Sequence, residues 1–149
     1  MQMQLPSDET QALWVALMRI GPLVLDKVEA AAKAEGFPSL AAYDVLWGIE
    51  RSKQHALRPK ELAAMLLFPR YGTSRLLDRL EGDGLIVREE CPEDARGQLI
   101  KLTEAGRKLR ARMWPAYGAA MREAIEDKLT PSEAKTLARL LTKLGDQTG

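Results

Sequence analysis

Apolar positions along this chain recur first at helical spacing, then in short strand-like runs, then at helical spacing again. From Ser7 onward, Trp14, Leu17, Met18, Gly21, Leu25 and Val28 lie three or four residues apart, with Leu13, Ile20 and Leu23 beside them. This period predicts a long first helix that is apolar over more than one face. Ser7 is placed to cap it, Asp8 and Glu9 suit the positive end of its dipole, and Pro22 is expected to kink it. Gly36-Phe37-Pro38 ends the segment, and Ser39 caps a second helix running to about Arg51. Tyr43, Leu46, Trp47 and Glu50 share one flank of that helix.

The middle of the chain is punctuated more closely. Leu57 begins a brief strand, Pro59 opens a short third helix, and Leu67-Phe68-Pro69 makes a turn into a fourth helix that reaches about Asp83. On the fourth helix Tyr71, Ser74, Arg75 and Arg79 fall on one side and Leu76, Leu77 and Leu80 on the other. Gly84 closes it as a C-terminal cap. Leu85–Glu89 and Gln98–Leu102 are strand-like runs flanking the charged loop Cys91-Pro92-Glu93-Asp94-Ala95-Arg96-Gly97. Thr103 caps a fifth helix to about Asp127, with Pro115 expected to bend it, and Thr130-Pro131-Ser132-Glu133 is a capping box for a last helix bearing Leu137, Leu140, Leu141 and Leu144. The predicted class is mostly α (α+β). It is a winged helix-turn-helix with a three-element wing sheet and long helices at both ends. A basic helix beside a basic hairpin suits a major groove and the neighbouring minor groove of double-stranded DNA.

Charge sharpens that picture through its distribution. The net charge of +1 carries little, but residues 1–50 hold 3 Lys/Arg against 7 Asp/Glu, whereas residues 51–110 hold 13 against 9. The positive charge collects where a phosphate-binding surface is expected. With 149 residues, 46% of them hydrophobic and 29% charged, the chain reads as one soluble domain. The first ten residues carry no signal-peptide pattern, no stretch is long and apolar enough for a membrane, and the single cysteine suits a reducing interior. The expected compartment is the cytoplasm.

Five stretches, in order and at matching spacing, resemble the MarR family of bacterial transcriptional regulators. They are Leu57-Arg-Pro-Lys-Glu-Leu-Ala63, Ser74-Arg-Leu-Leu-Asp-Arg-Leu-Glu81, Gly84-Leu-Ile-Val-Arg88, Pro92-Glu-Asp-Ala-Arg96 and Leu102-Thr-Glu-Ala-Gly106. The resemblance implies a single domain over 1–149, with about 39–106 as the winged DNA-binding region and about 8–35 and 104–146 as dimerisation helices. It implies a homodimer whose two reading heads meet half-sites about 34 Å apart. Tyr71, Thr73, Ser74 and Arg75 then face the major groove, with Arg70 and Arg79 on phosphates, although Thr73 lies on the side of the leucines. Asp94 braces the hairpin and Arg96 enters the minor groove. The chain departs from the family pattern at Leu67, where many relatives place glycine. It departs again at Pro69 and Arg58, which replace serine and threonine caps. Gly72 weakens the reading helix by about 1 kcal/mol against alanine.

The resemblance also implies a small aromatic or other effector that releases DNA, and Trp14, Met18, Tyr43, Trp47 and Met65 are candidates to line its pocket. Trp114 and Tyr117 belong to the same set. Each is equally readable as core or dimer interface. Cys91 offers an oxidant-sensing alternative, but Glu89, Glu90 and Glu93 surround it in sequence and disfavour a thiolate, so it reads as an inert, partly exposed residue. One histidine, His55, and one cysteine leave catalysis and metal binding little to work with, so neither enzyme activity nor a cofactor is expected. The competing reading is a winged-helix module that binds another protein and no DNA.

Overall fold

The computed structural model describes residues 3–67, 73–91 and 97–145. In chain order the elements are α1 (Asp8–Ala34), α2 (Leu40–Glu50), β1 (Ala56–Leu57), α3 (Pro59–Met65), α4 (Thr73–Gly82), β2 (Ile86–Glu90) and β3 (Gln98–Leu102). Then come α5 (Glu104–Met121), a π-helical turn (Arg122–Glu126) and α6 (Pro131–Gly145). Local chemistry accounts for most of these boundaries. Ser7 Oγ accepts the Thr10 N–H and Ser39 Oγ the Ala42 N–H, both at 3.2 Å, satisfying donors that the first helical turn leaves orphaned. At α6 the box closes in both directions. Thr130 N–H donates to Glu133 Oε1 at 2.9 Å, and Glu133 N–H donates to Thr130 Oγ1 at 3.1 Å.

The chain forms two compact units. The first, Ala32–Ala116, holds the sheet and the main core. Its three strands lie in the order β1-β3-β2, all antiparallel, with Leu57 opposite Ile100 and Arg88 also opposite Ile100 across the other edge of β3. Val45, Leu46 and Ile49 of α2 pack with Leu62 of α3, Leu77 and Leu80 of α4, and Ile86 and Ile100 of the sheet in one buried cluster. Helices α2, α3 and α4 and the sheet thus share a single apolar centre, the arrangement of a winged helix-turn-helix.

The α4–β2 junction shows why this stretch folds as it does. Gly84 has φ +74°, a left-handed conformation that costs glycine least. It lets Gly84 N–H reach the Glu81 carbonyl at 3.0 Å and Leu85 N–H the Leu80 carbonyl at 2.9 Å. Thr103 Oγ1 then donates to the Gly84 carbonyl at 2.7 Å and accepts the Gly106 N–H at 3.0 Å, so one hydroxyl caps α5 and ties it to the end of α4. Gly106 is the residue that allows this approach. A Cβ there would stand 2.2 Å from the Leu85 carbonyl oxygen.

The second unit comprises the residues up to Ala31 and those from Tyr117 onward. Here α1 runs on through Pro22. Spacing predicts one helix to about Asp127, bent at Pro115, yet α5 gives way to the π turn, in which Asp127 N–H reaches the Arg122 carbonyl at 3.0 Å. The widened turn takes in one extra residue. Val28, Ala120 and Ala124 are buried, but no residue of α6 is. Among the described residues no helix is long and apolar enough to cross a membrane.

Candidate nucleic-acid interface

Helix α4 separates its faces as an amphipathic helix must. Leu77 and Leu80 are buried and Leu76 half-buried against the core, whereas Ser74, Arg75 and Arg79 are exposed. Thr73 is half-buried, in keeping with its place on the leucine side. The structure therefore brings Ser74, Arg75 and Arg79 together on one solvent face. Arg70, Tyr71, Asp94 and Arg96 lie outside the described residues, as do Phe68, Pro69 and Gly72.

Contacts with other segments anchor the ends of α3 and α4. The Asp44 carboxylate, buried on α2, accepts the Leu67 N–H at 2.6 Å. A carboxyl oxygen at this point satisfies the backbone N–H just past the end of α3. Towards the C-terminal end of α4, Arg88 on β2 donates Nη2 to Glu81 Oε1 at 2.9 Å and to Asp78 Oδ1 at 2.6 Å, and its backbone N–H donates to Glu81 Oε2 at 3.0 Å. Hydrogen bonds from the Arg88 side chain and backbone hold the Glu81 carboxyl below its ordinary range, and the same partners raise the guanidinium. The spacing Asp78-x-x-Glu81 followed by Arg88 was visible, but it becomes meaningful only once the chain reverses at Gly84.

The hairpin has its own fastening. Cys91 N–H donates to the Gly97 carbonyl at 2.8 Å, closing the base of the loop, and Lys101 Nζ pairs with Glu89 Oε2 at 2.7 Å across β2 and β3. Cys91 is buried, which corrects the expectation of a partly exposed thiol.

The aromatic candidates divide. Tyr43 is buried and stacks on Trp114, with ring centroids 6.3 Å apart and planes at 21°. Arg110 lies over Trp47, 4.9 Å from the ring centroid, and its guanidinium pairs with the Glu50 carboxylate. Burial works against the Arg110 charge, but Glu50 and the Tyr43 hydroxyl raise its affinity for the proton above the ordinary level. Met65 packs against the core cluster. Trp14 and Met18, by contrast, belong to the other unit, where both are exposed.

Similarity to known proteins agrees with this geometry. The MarR family model matches residues 36–97, from the end of α1 to the foot of β3. An HTH-type transcriptional regulator of Bacillus cereus is 36% identical over 104 residues, covering 70% of this chain and 67% of that protein. Among solved structures, a MarR family transcriptional regulator from Streptomyces coelicolor in complex with DNA superposes with a TM-score of 0.89 at 29% identity, covering 99% of this chain and 94% of that one. A mutant MarR from E. coli complexed with operator DNA gives a TM-score of 0.74 at 28% identity, over 93% and 99% of the two chains. The matched region takes in the helix-turn-helix, and the chain belongs to the MarR family of transcriptional regulators.

Proposed function

We propose that the protein acts as a homodimer on palindromic operators and represses transcription until a small aromatic or other effector releases it. The observation that carries this reading is the face of α4, where Ser74, Arg75 and Arg79 stand exposed above a buried leucine row. Arg75 reads base edges in the major groove, where its planar fork matches guanine O6 and N7. Ser74 and Tyr71 support it, Arg70 and Arg79 hold phosphates, and Thr73 contributes least. Arg96 at the hairpin enters the minor groove, with Asp94 bracing it. Residues 39–106 form the DNA-binding region, and 8–35 with 104–146 form the dimer face.

The exposed apolar rows of α1 and α6 support dimerisation. Leu137, Leu140, Leu141 and Leu144 need a cover, and a second copy supplies one with the right symmetry for a two-fold operator. Trp14 and Met18 fall to that same face. Tyr43, Trp47 and Met65 are the residues through which an effector would act. No catalytic grouping enters this reading, and the protein works in the cytoplasm as a regulator rather than an enzyme.

Fluorescence anisotropy on labelled DNA from upstream of the gene, with unrelated DNA as competitor, tests the reading. Arg75→Ala and Arg96→Ala should each weaken specific binding by about 1–3 kcal/mol, and wild-type binding should fall steeply with salt. A protein that selects no duplex from genomic fragments is instead a protein-interaction module.

A further inference from the structure

Asp78 occupies an awkward place for a helix that meets DNA. Successive helical residues turn by about 100°, so Asp78 falls between Ser74 on one side and Arg75 and Arg79 on the other, near the middle of the exposed face. Its side chain is 63% exposed. A free carboxylate there would oppose phosphates of like charge, and it has no proton to offer the acceptors that dominate the groove edges. Yet it is not free. Arg88 Nη2 lies 2.6 Å from Asp78 Oδ1, and the same guanidinium is oriented by Glu81, which takes Nη2 at 2.9 Å and Nε at 3.3 Å. The Arg88 side chain is itself mostly shielded from solvent, so it holds one position rather than sweeping the surface. A planar fork can serve two carboxylates in this way, and a lysine ammonium cannot hold the same fixed geometry.

We infer that Arg88 is a positioning residue of the reading helix, cancelling the charge of Asp78 on the face offered to DNA. The inference rests on the DNA-binding reading above. Arg88 does not touch the nucleic acid; it acts through Asp78. The outward surface of α4 is therefore more positive than its composition suggests, because the negative side chain at its centre is neutralised from β2.

The test is a double-mutant cycle on a labelled duplex that the wild-type protein has enriched from a random-sequence pool. Arg88→Gln should weaken binding about tenfold in low salt, with the loss shrinking as salt screens the uncovered charge. In an Asp78→Asn background the same change should cost less than about twofold, and Asp78→Asn alone should tighten binding about two- to threefold. Arg88→Lys is run beside them, because it keeps a cation near Glu81 if Arg88→Gln fails to fold. It should lose about threefold in the wild-type background and nothing with Asn at 78. Equal losses in both backgrounds, or losses that do not vary with salt, would overturn the inference. So would a tenfold weakening by Asp78→Asn with altered base preference, since Asp78 would then be reading a base. Failure of the wild type to enrich any duplex overturns DNA binding itself, a result distinct from all of these.

Discussion

In the unit Ala32–Ala116, Leu46, Ile49, Ile86 and Ile100 are at 0% exposure, whereas Leu137, Leu140, Leu141 and Leu144 of α6 remain between 41% and 54% exposed. The residue types are the same and the helical period is equally regular. The difference is that α2 finds a sheet and two short helices to close over it, while α6 packs mainly on the π turn that precedes it. Burying a leucine side chain fully is worth about 1.5–3 kcal/mol. One unit has collected that stabilisation within its own chain, and the other leaves much of it uncollected on an open face. Apolar periodicity therefore identifies a buried face without saying whose surface buries it.

The sharpest way to break this contrast is to remove volume from the closed core. Leu46→Ala should destabilise the protein by about 3–4 kcal/mol in urea unfolding, through lost transfer energy and a cavity the packed neighbours cannot fill. Next is the open face. Leu140→Glu with Leu141→Glu should weaken self-association by about a hundredfold in sedimentation equilibrium, and should abolish any rise of the wild-type melting temperature with protein concentration. A double variant that associates like wild type would show that α6 does not carry the interface.

Gly106→Ala probes the closed unit at a different kind of contact. A methyl group 2.2 Å from the Leu85 oxygen forces α5 away from the α4–β2 junction, and about 2 kcal/mol should be lost in denaturant unfolding. The smallest effect belongs to acid. Glu81 has its folded proton affinity lowered by Arg88, so its contribution is fully present above the ordinary value of 4.5 and is lost as pH falls through the lower folded value. Melting temperatures of wild type and Glu81→Gln should accordingly differ above 4.5 and converge below it. A gap that persisted unchanged in acid would mean that the Glu81 charge is not what holds Arg88.

Much of the chain could be read from neighbouring residues. Ser39, Thr103 and the Thr130/Glu133 pair cap helices within three residues of themselves, so their side chains and the backbone donors they serve are in reach whatever the rest of the chain does. Gly84 stops α4 for a similarly local reason, its positive φ. The exposed arginines of α4 followed from the position of its leucines, since a helix that buries Leu77 and Leu80 must turn Ser74, Arg75 and Arg79 outward.

Other features depended on chain segments brought together by folding. Asp44 meets Leu67 across 23 residues of sequence, and nothing in a helix flank rich in leucine and tryptophan distinguishes a carboxylate that caps a distant turn from one that faces water. Cys91 is buried, although its sequence neighbours are acidic. Arg88 and Asp78 are ten residues apart and read as two ordinary surface charges until β2 folds back alongside α4. The order of elements, their caps and the sidedness of the reading helix followed from residues within one or two turns of each other, where backbone geometry fixes the distance. Which charges pair, which thiol is sealed and which apolar rows find cover depended on packing between segments, because those distances exist only after the core has closed.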